Sequence, residues 1–261
     1  ELMFMDFFGV CFDQIYNQAA KFRYMFGGKA STPMVVRGAV GAGFGSAAQH
    51  SQALWPIFSH IPGLKVVLPS NAYDAKGLLI QAIRDDDPVL FLEHKVLYNT
   101  KGEVPEEPYA IPFGEAKISR EGDDVTIVAF GRMVNFANDV ADKLAGEISV
   151  EVVDPRTTSP LDVEVILESV QHTGRLIVVD EANPICSMAS EVISLVATEG
   201  LSSLRAAPIK ITAPHTPVPA APNLERLYIP SVETIESAAR QLCARRPNVR
   251  GVQALELAGG V

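Results

Sequence analysis

The chain has 261 residues, 48% of them hydrophobic and 20% charged, with a formal net charge of -9 at pH 7. That length suits one large or two ordinary domains with a sizeable core, and the acidic balance argues against nucleic-acid binding, which needs a basic face. No apolar run reaches the length of a membrane span and no signal peptide is visible. Three scattered cysteines, Cys11, Cys186 and Cys243, point to a reducing, cytoplasmic setting rather than a disulfide or zinc framework.

Glu1 to Phe8 is strand-like and apolar from its first residue, so a preceding segment is expected. From Gly9 to Phe26, apolar residues recur at three- and four-residue steps (Val10, Phe12, Ile15, Ala19, Phe22, Met25), which predicts a helix ended by Gly27-Gly28. Met34 to Arg37 reads as a buried strand. The stretch Gly38 to Gln52 that follows is the one around which the chain is organised. Its four glycines in eight residues permit left-handed turns and close approach of a ligand to the backbone, and the loop is expected to be mobile when empty. A short helix over Ser51 to His60, a strand over Leu64 to Pro69, a helix over Ala72 to Arg84 capped by Ser70 or Asn71, and a strand over Val89 to Glu93 come next. This alternation predicts a parallel α/β sheet.

Asn99 to Pro112 is rich in Pro and Glu and reads as a linker, which divides the chain into 1–112 and 113–243. In the second part, strands are expected at Gly114 to Arg120, Val125 to Phe130, Ile148 to Val153, Leu176 to Asp180 and Ile209 to Thr212. Helices are expected at Met133 to Leu144, Leu161 to His172, Pro184 to Thr198 and Val232 to Leu242. The tail, 244–261, has little pattern and is expected to be frayed or extraneous.

The residues with possible chemistry are few. His50 lies between Gln49 and Gln52, where an imidazole could exchange protons near neutral pH while the amides orient it. A turn whose histidine merely caps or packs explains the spacing as well. Asp85-Asp86-Asp87 is either a solvated turn or a cation loop with oxygen ligands. Asp180-Glu181-Ala182-Asn183 follows a strand and is either a functional loop or a helix cap. His215 is held between prolines, whereas His60, His94 and His172 read as structural or surface residues. Neither GxGxxG, a P-loop, HExxH, a Ser-His-Asp order nor a nucleophile elbow is present. The residues by themselves therefore give a two-domain α/β protein with a glycine-loop histidine and no complete catalytic set.

A further set of stretches carries a resemblance. They are Asp13-Gln14-Ile15-Tyr16-Asn17-Gln18-Ala19-Ala20-Lys21, Ala47-Ala48-Gln49-His50-Ser51-Gln52, Pro62-Gly63-Leu64-Lys65-Val66-Val67, Asp74-Ala75-Lys76-Gly77-Leu78 and Ala82-Ile83-Arg84-Asp85. Together they resemble the β subunits of thiamine-diphosphate-dependent 2-oxo acid dehydrogenase E1 components, over about residues 1–242. Glu1 to Phe8, Phe22 to Lys29, Ser70 to Asp74 and Ala213 to Pro219 are most like the acetoin dehydrogenase branch. The resemblance implies a transketolase-like pyrimidine-binding domain, N-terminally truncated, followed by a transketolase-like C-terminal α/β domain. It implies an α2β2 assembly with thiamine diphosphate at the subunit interface, Mg2+ held by the α subunit through a GDG-type motif absent here, and transfer of the acetyl group to lipoyl on an E2 partner. The branch alternative is a pyruvate dehydrogenase β subunit, and a non-catalytic one is an E2-docking assembly subunit. By the same resemblance, Met3 and Phe7 lie against the cofactor's aminopyrimidine, and His50 faces its thiazolium side, where it handles protons or stabilises the substrate-derived adduct. Met34, Ala82, Ile83, Asp85 and Asp87 match a monovalent-cation (K+) loop that binds mostly through backbone oxygens, with Asp87 in place of the more familiar asparagine. The family's glutamate for pyrimidine N1′ is expected upstream of Glu1, which is not that residue.

Overall fold

The computed structural model describes residues 1–244; the expected tail beyond Ala244, 245–261, lies outside the described residues. The chain opens with strand β1 (Leu2–Phe4) and a 3-10 turn over Met5–Val10. The continuous helix expected from Gly9 to Phe26 does not form. A π-helical segment covers Asp13–Ala19 and only Phe22–Met25 is α-helical (α1). At the start of this segment Phe12 stacks on Tyr16, with ring centroids 4.2 Å apart. Gly27 and Gly28, both with positive φ, end the segment as expected.

Strand β2 (Val35–Val40) leads into the glycine loop, and helix α2 (Trp55–Ser59) follows it. Next come β3 (Lys65–Val67), α3 (Ala72–Arg84) and β4 (Val89–His94). Asn71 caps α3 by accepting the Asp74 amide at 2.9 Å, which satisfies one of the free N–H groups of the first turn. The second half contributes β5 (Lys117–Arg120), β6 (Val125–Ala129), α4 (Arg132–Lys143), β7 (Val150–Asp154) and β8 (Thr157–Ser159). It continues with α5 (Val163–Thr173), β9 (Leu176–Asp180), α6 (Met188–Glu199), β10 (Ile209–Thr212), α7 (Pro222–Tyr228) and α8 (Val232–Ala244). Sequence reading missed β8 and α7.

The strands form two five-stranded sheets, ordered β1-β2-β4-β3-β8 and β10-β9-β6-β7-β5. The first is parallel apart from β8, and the second is parallel apart from β5. Every residue of β6, β7 and β9 is buried, as parallel strands covered on both faces must be. The division expected near residue 112 falls in coil, but the two sheets are not independent. β8, from the second half, pairs antiparallel with β3, Val66 opposite Ser159. One hydrophobic core also runs through both, joining Trp55, Phe58, Leu90 and Leu92 to Val128, Ile166, Val178 and Val192.

Candidate active site

The glycine loop leaves the C-terminal end of β2, the end at which open α/β sheets place their ligands. It doubles back, because the Gly41 amide donates to the Gln52 carbonyl at 3.2 Å. Near its far end His50 is half-buried and held between two aromatic edges. The Phe4 centroid is 4.9 Å away and the Phe7 centroid 5.1 Å, both rings nearly perpendicular to the imidazole. The Lys95 ammonium donates to the His50 carbonyl and lies over the Phe4 ring. Asp6 Oδ1 accepts both the Gln52 amide, at 3.0 Å, and its side-chain Nε2, at 2.9 Å. Gln52 thus anchors the loop to the 3-10 turn. Asp6 Oδ2 is buried with no hydrogen-bond partner among the described residues.

Met3 and Phe7 share this neighbourhood and remain open, at 72% and 42% exposed. An apolar rim beside an imidazole suits one face of an aromatic heterocycle, so the residues present fit the pyrimidine-binding expectation.

The root of the loop is tied to the second sheet. Glu181 follows β9 and accepts the Ala42 amide on Oε1 at 2.6 Å, while its Oε2 lies 2.8 Å from His94 Nε2. Glu225, on α7, accepts the Gly43 amide at 2.7 Å and the Gly45 amide at 3.0 Å. Burial pushes the Glu181 carboxyl upward, but the His94 charge and hydrogen bond and the Ala42 amide outweigh it and leave it below its ordinary value. Burial lowers the Lys95 ammonium, against the pull of Asp6, Glu181 and Glu225. The expectation of a mobile loop did not include these tethers.

The expected cation loop is elsewhere. Met34 precedes β2, and Ala82, Ile83, Asp85 and Asp87 lie between the end of α3 and the start of β4, so they group at the opposite end of the sheet from His50. The backbone brings them together: the Thr32 amide donates to the Asp86 carbonyl and the Val89 amide to the Met34 carbonyl. Asp85 is bonded to Lys65 at 2.7 Å, and Asp87 pairs with Arg23 and Lys65. Among the described residues no group of three or more His, Cys, Asp or Glu side chains could hold a metal ion.

Other candidates separate in the same way. Asp180 accepts Trp55 Nε1 at 3.0 Å and the Ala182 and Ala189 amides at 3.0 and 3.3 Å, so it ties α2 to the start of α6. His215 and His60 line a groove of about 1200 Å³ between α2 and α6, whose lining excludes His50, Met3 and Phe7. Phe4, Asp6, Lys95 and Glu225 went unnoticed in the sequence. Nothing local marks Glu225.

Comparison with known proteins assigns both halves of the chain to families. The transketolase pyrimidine-binding domain family matches residues 1–101 and the transketolase C-terminal domain family residues 114–235. The chain is 63% identical over 242 residues to the acetoin:2,6-dichlorophenolindophenol oxidoreductase subunit beta of Cupriavidus necator, covering 92% of this chain and 72% of that one. It is 57% identical to the protein of the same name from Bacillus subtilis, with 93% and 71% coverage. Identity is 46% to the pyruvate dehydrogenase E1 component subunit beta of Rickettsia felis, with 93% and 75% coverage. Among solved structures, a split-gene transketolase described as an inactive beta4 tetramer superposes with a TM-score of 0.73 at 23% identity, over 92% of this chain and 75% of that one, which shows a shared fold. The chain therefore belongs to the transketolase-like β-subunit family of thiamine-diphosphate-dependent E1 oxidoreductase components.

Proposed function

We propose that this chain is the β subunit of an acetoin-cleaving E1 component. The observation that carries the reading is the 63% and 57% identity to two acetoin oxidoreductase β subunits, against 46% to a pyruvate dehydrogenase β subunit. An α subunit completes an α2β2 assembly and holds the diphosphate and Mg2+, and the acetyl group passes to lipoyl on an E2 partner, in the cytoplasm. When bound, thiamine diphosphate supplies the electron sink for breaking the carbon–carbon bond of acetoin. This chain's share is positioning and proton handling. Met3 and Phe7 offer the apolar surface against which the pyrimidine ring rests. His50, fixed by Phe4, Phe7 and Lys95, gives a proton to the carbonyl oxygen of acetoin and takes one from its hydroxyl on an imidazole nitrogen as that oxygen becomes the carbonyl of acetaldehyde. K+ is assigned to backbone oxygens around Met34, Ala82, Ile83, Asp85 and Asp87, since the Asp85 and Asp87 carboxylates are already neutralised by Lys65 and Arg23.

The test is turnover of the complete α/β enzyme with an artificial electron acceptor, acetoin and pyruvate being offered separately. Preference for acetoin is expected. Preference for pyruvate would keep the fold and cofactor and overturn the substrate. His50→Ala in the same enzyme is expected to lower turnover by about a hundredfold or more without shifting the unfolding midpoint of the β chain. Unchanged turnover would remove His50 from the chemistry.

A further inference from the structure

We infer that Glu225 and Glu181 are positioning residues for His50: from the second unit they clamp the glycine loop in the one path that seats the imidazole between Phe4 and Phe7. This inference rests on the proton role proposed for His50. The loop has little to define its path by itself. Gly41, Gly43 and Gly45 all take positive φ (+88°, +116° and +66°), where glycine has the most conformational freedom to lose. Beyond Val40, where β2 ends, its amides lie outside the hydrogen-bond ladder of the sheet. Three amides of the turn donate to carboxylates that come from beyond residue 180: Ala42 to Glu181, and Gly43 and Gly45 to Glu225. Both acids are buried, at 1% and 5% exposed. Burying a carboxylate is costly unless it is hydrogen-bonded or paired, and bonds to an ionised acceptor are stronger and shorter than neutral ones.

The remaining contacts close the device. Arg132 Nη1 reaches the Ala42 carbonyl at 3.5 Å. The His94 ring occupies the space that any side chain on Gly41 would need, and Glu181 holds that ring. Lys95, attracted to Asp6, Glu181 and Glu225, donates to the carbonyl of His50 itself. The histidine is thereby linked through its own backbone to the same set of charges that grips the loop root. A shift of the root would carry His50 off its aromatic seat, and misplacement of a catalytic group by about 1 Å can cost a hundredfold in rate.

The experiment compares Glu225→Ala, Glu225→Gln, His50→Ala and the double variant Glu225→Ala/His50→Ala in the complete α/β enzyme, with hydrogen exchange measured at Gly43 and Gly45. Glu225→Ala is expected to lower kcat by about ten- to hundredfold with KM within about twofold. It should speed exchange at Gly43 and Gly45 by about tenfold or more while amides in the second sheet are unchanged. Glu225→Gln, which keeps an acceptor oxygen, should restore kcat to within about threefold of wild type. In the His50→Ala background the same Glu225→Ala change should cost less than about twofold, because the group it positions is gone. Unchanged exchange at Gly43 and Gly45, or an equal kcat loss with and without His50, would overturn the inference. Unchanged turnover in His50→Ala alone would overturn the proton role and the positioning role with it. That outcome is told apart from failure of the clamp by the exchange data, which do not depend on turnover.

Discussion

Gly41 shows how a single position can decide the geometry of this site. Its φ of +88° is left-handed, and a Cβ there would run into the imidazole of His94. His94 cannot retreat, since its Nε2 is bound to Glu181 in a pocket where both side chains are almost fully buried. Gly41→Ala is therefore expected to destabilise the β chain by about 2–4 kcal/mol, combining left-handed strain with overpacking. Urea unfolding of the variant would check this, and a loss below about 0.5 kcal/mol would show that the ring moves freely. The glycines of the loop were legible in the sequence as a place of unusual backbone. That His94 and Glu181 are what demand Gly41 was not, because His94 lies far downstream in the sequence and read as a structural or surface residue.

At the scale of elements, the strand-helix alternation was readable because burial on both faces leaves runs such as Leu176–Asp180 almost purely apolar. The first helical region was readable in period but not in geometry, since an apolar period near four is shared by α- and π-helical turns. Asp180 ends β9 and joins it to two helices: Trp55 of α2 and Ala189 of α6 both donate to it. Burial pushes its carboxyl from 3.8 up to about 6, even though the Ala182, Ala189 and Trp55 donors act in the opposite direction. With the folded-state value above the unfolded one, the folded chain holds the proton more tightly. This contribution to stability is then complete below the unfolded value near 3.8 and is lost as pH rises through about 6. Asp154, also buried and raised to about 6, acts with the same sign. The stability of Asp180→Asn relative to wild type is expected to improve between pH 4 and pH 6, by on the order of a few kcal/mol. Chemical unfolding of both proteins across that range measures it; a relative stability that does not change with pH would show that the three donors keep the carboxyl ionised.

For the whole molecule, the largest departure from a two-part reading is the traffic between the halves. β8 adds to the first sheet, Trp55 reaches Asp180, Arg156 pairs with Asp74 at 2.7 Å, and the glycine loop is held by Glu181 and Glu225. The opening third of the chain also presents Met3, Val10, Tyr24, Met25, Phe26 and Phe44 to the exterior. Exposed large apolar side chains in this number mark surfaces that other chains cover. Addition of the α subunit and thiamine diphosphate is expected to slow hydrogen exchange around residues 2–10 and 22–28. Equal exchange with and without the α subunit would place the interface elsewhere.

The sequence by itself determined the parallel α/β architecture, most of the strand and helix positions, and the family, because these depend on local periodicity and on contiguous motifs such as Ala47 to Gln52. It also placed His50 at the centre of the argument. Only the tertiary structure decided what holds His50. A three-residue strand such as β8 carries no period, and nothing near Glu225 announces that its carboxylate will bond amides some 180 residues earlier. Such partners are chosen by how the two sheets pack, through burial and hydrogen-bond demand that become definite only once the chain has closed on itself.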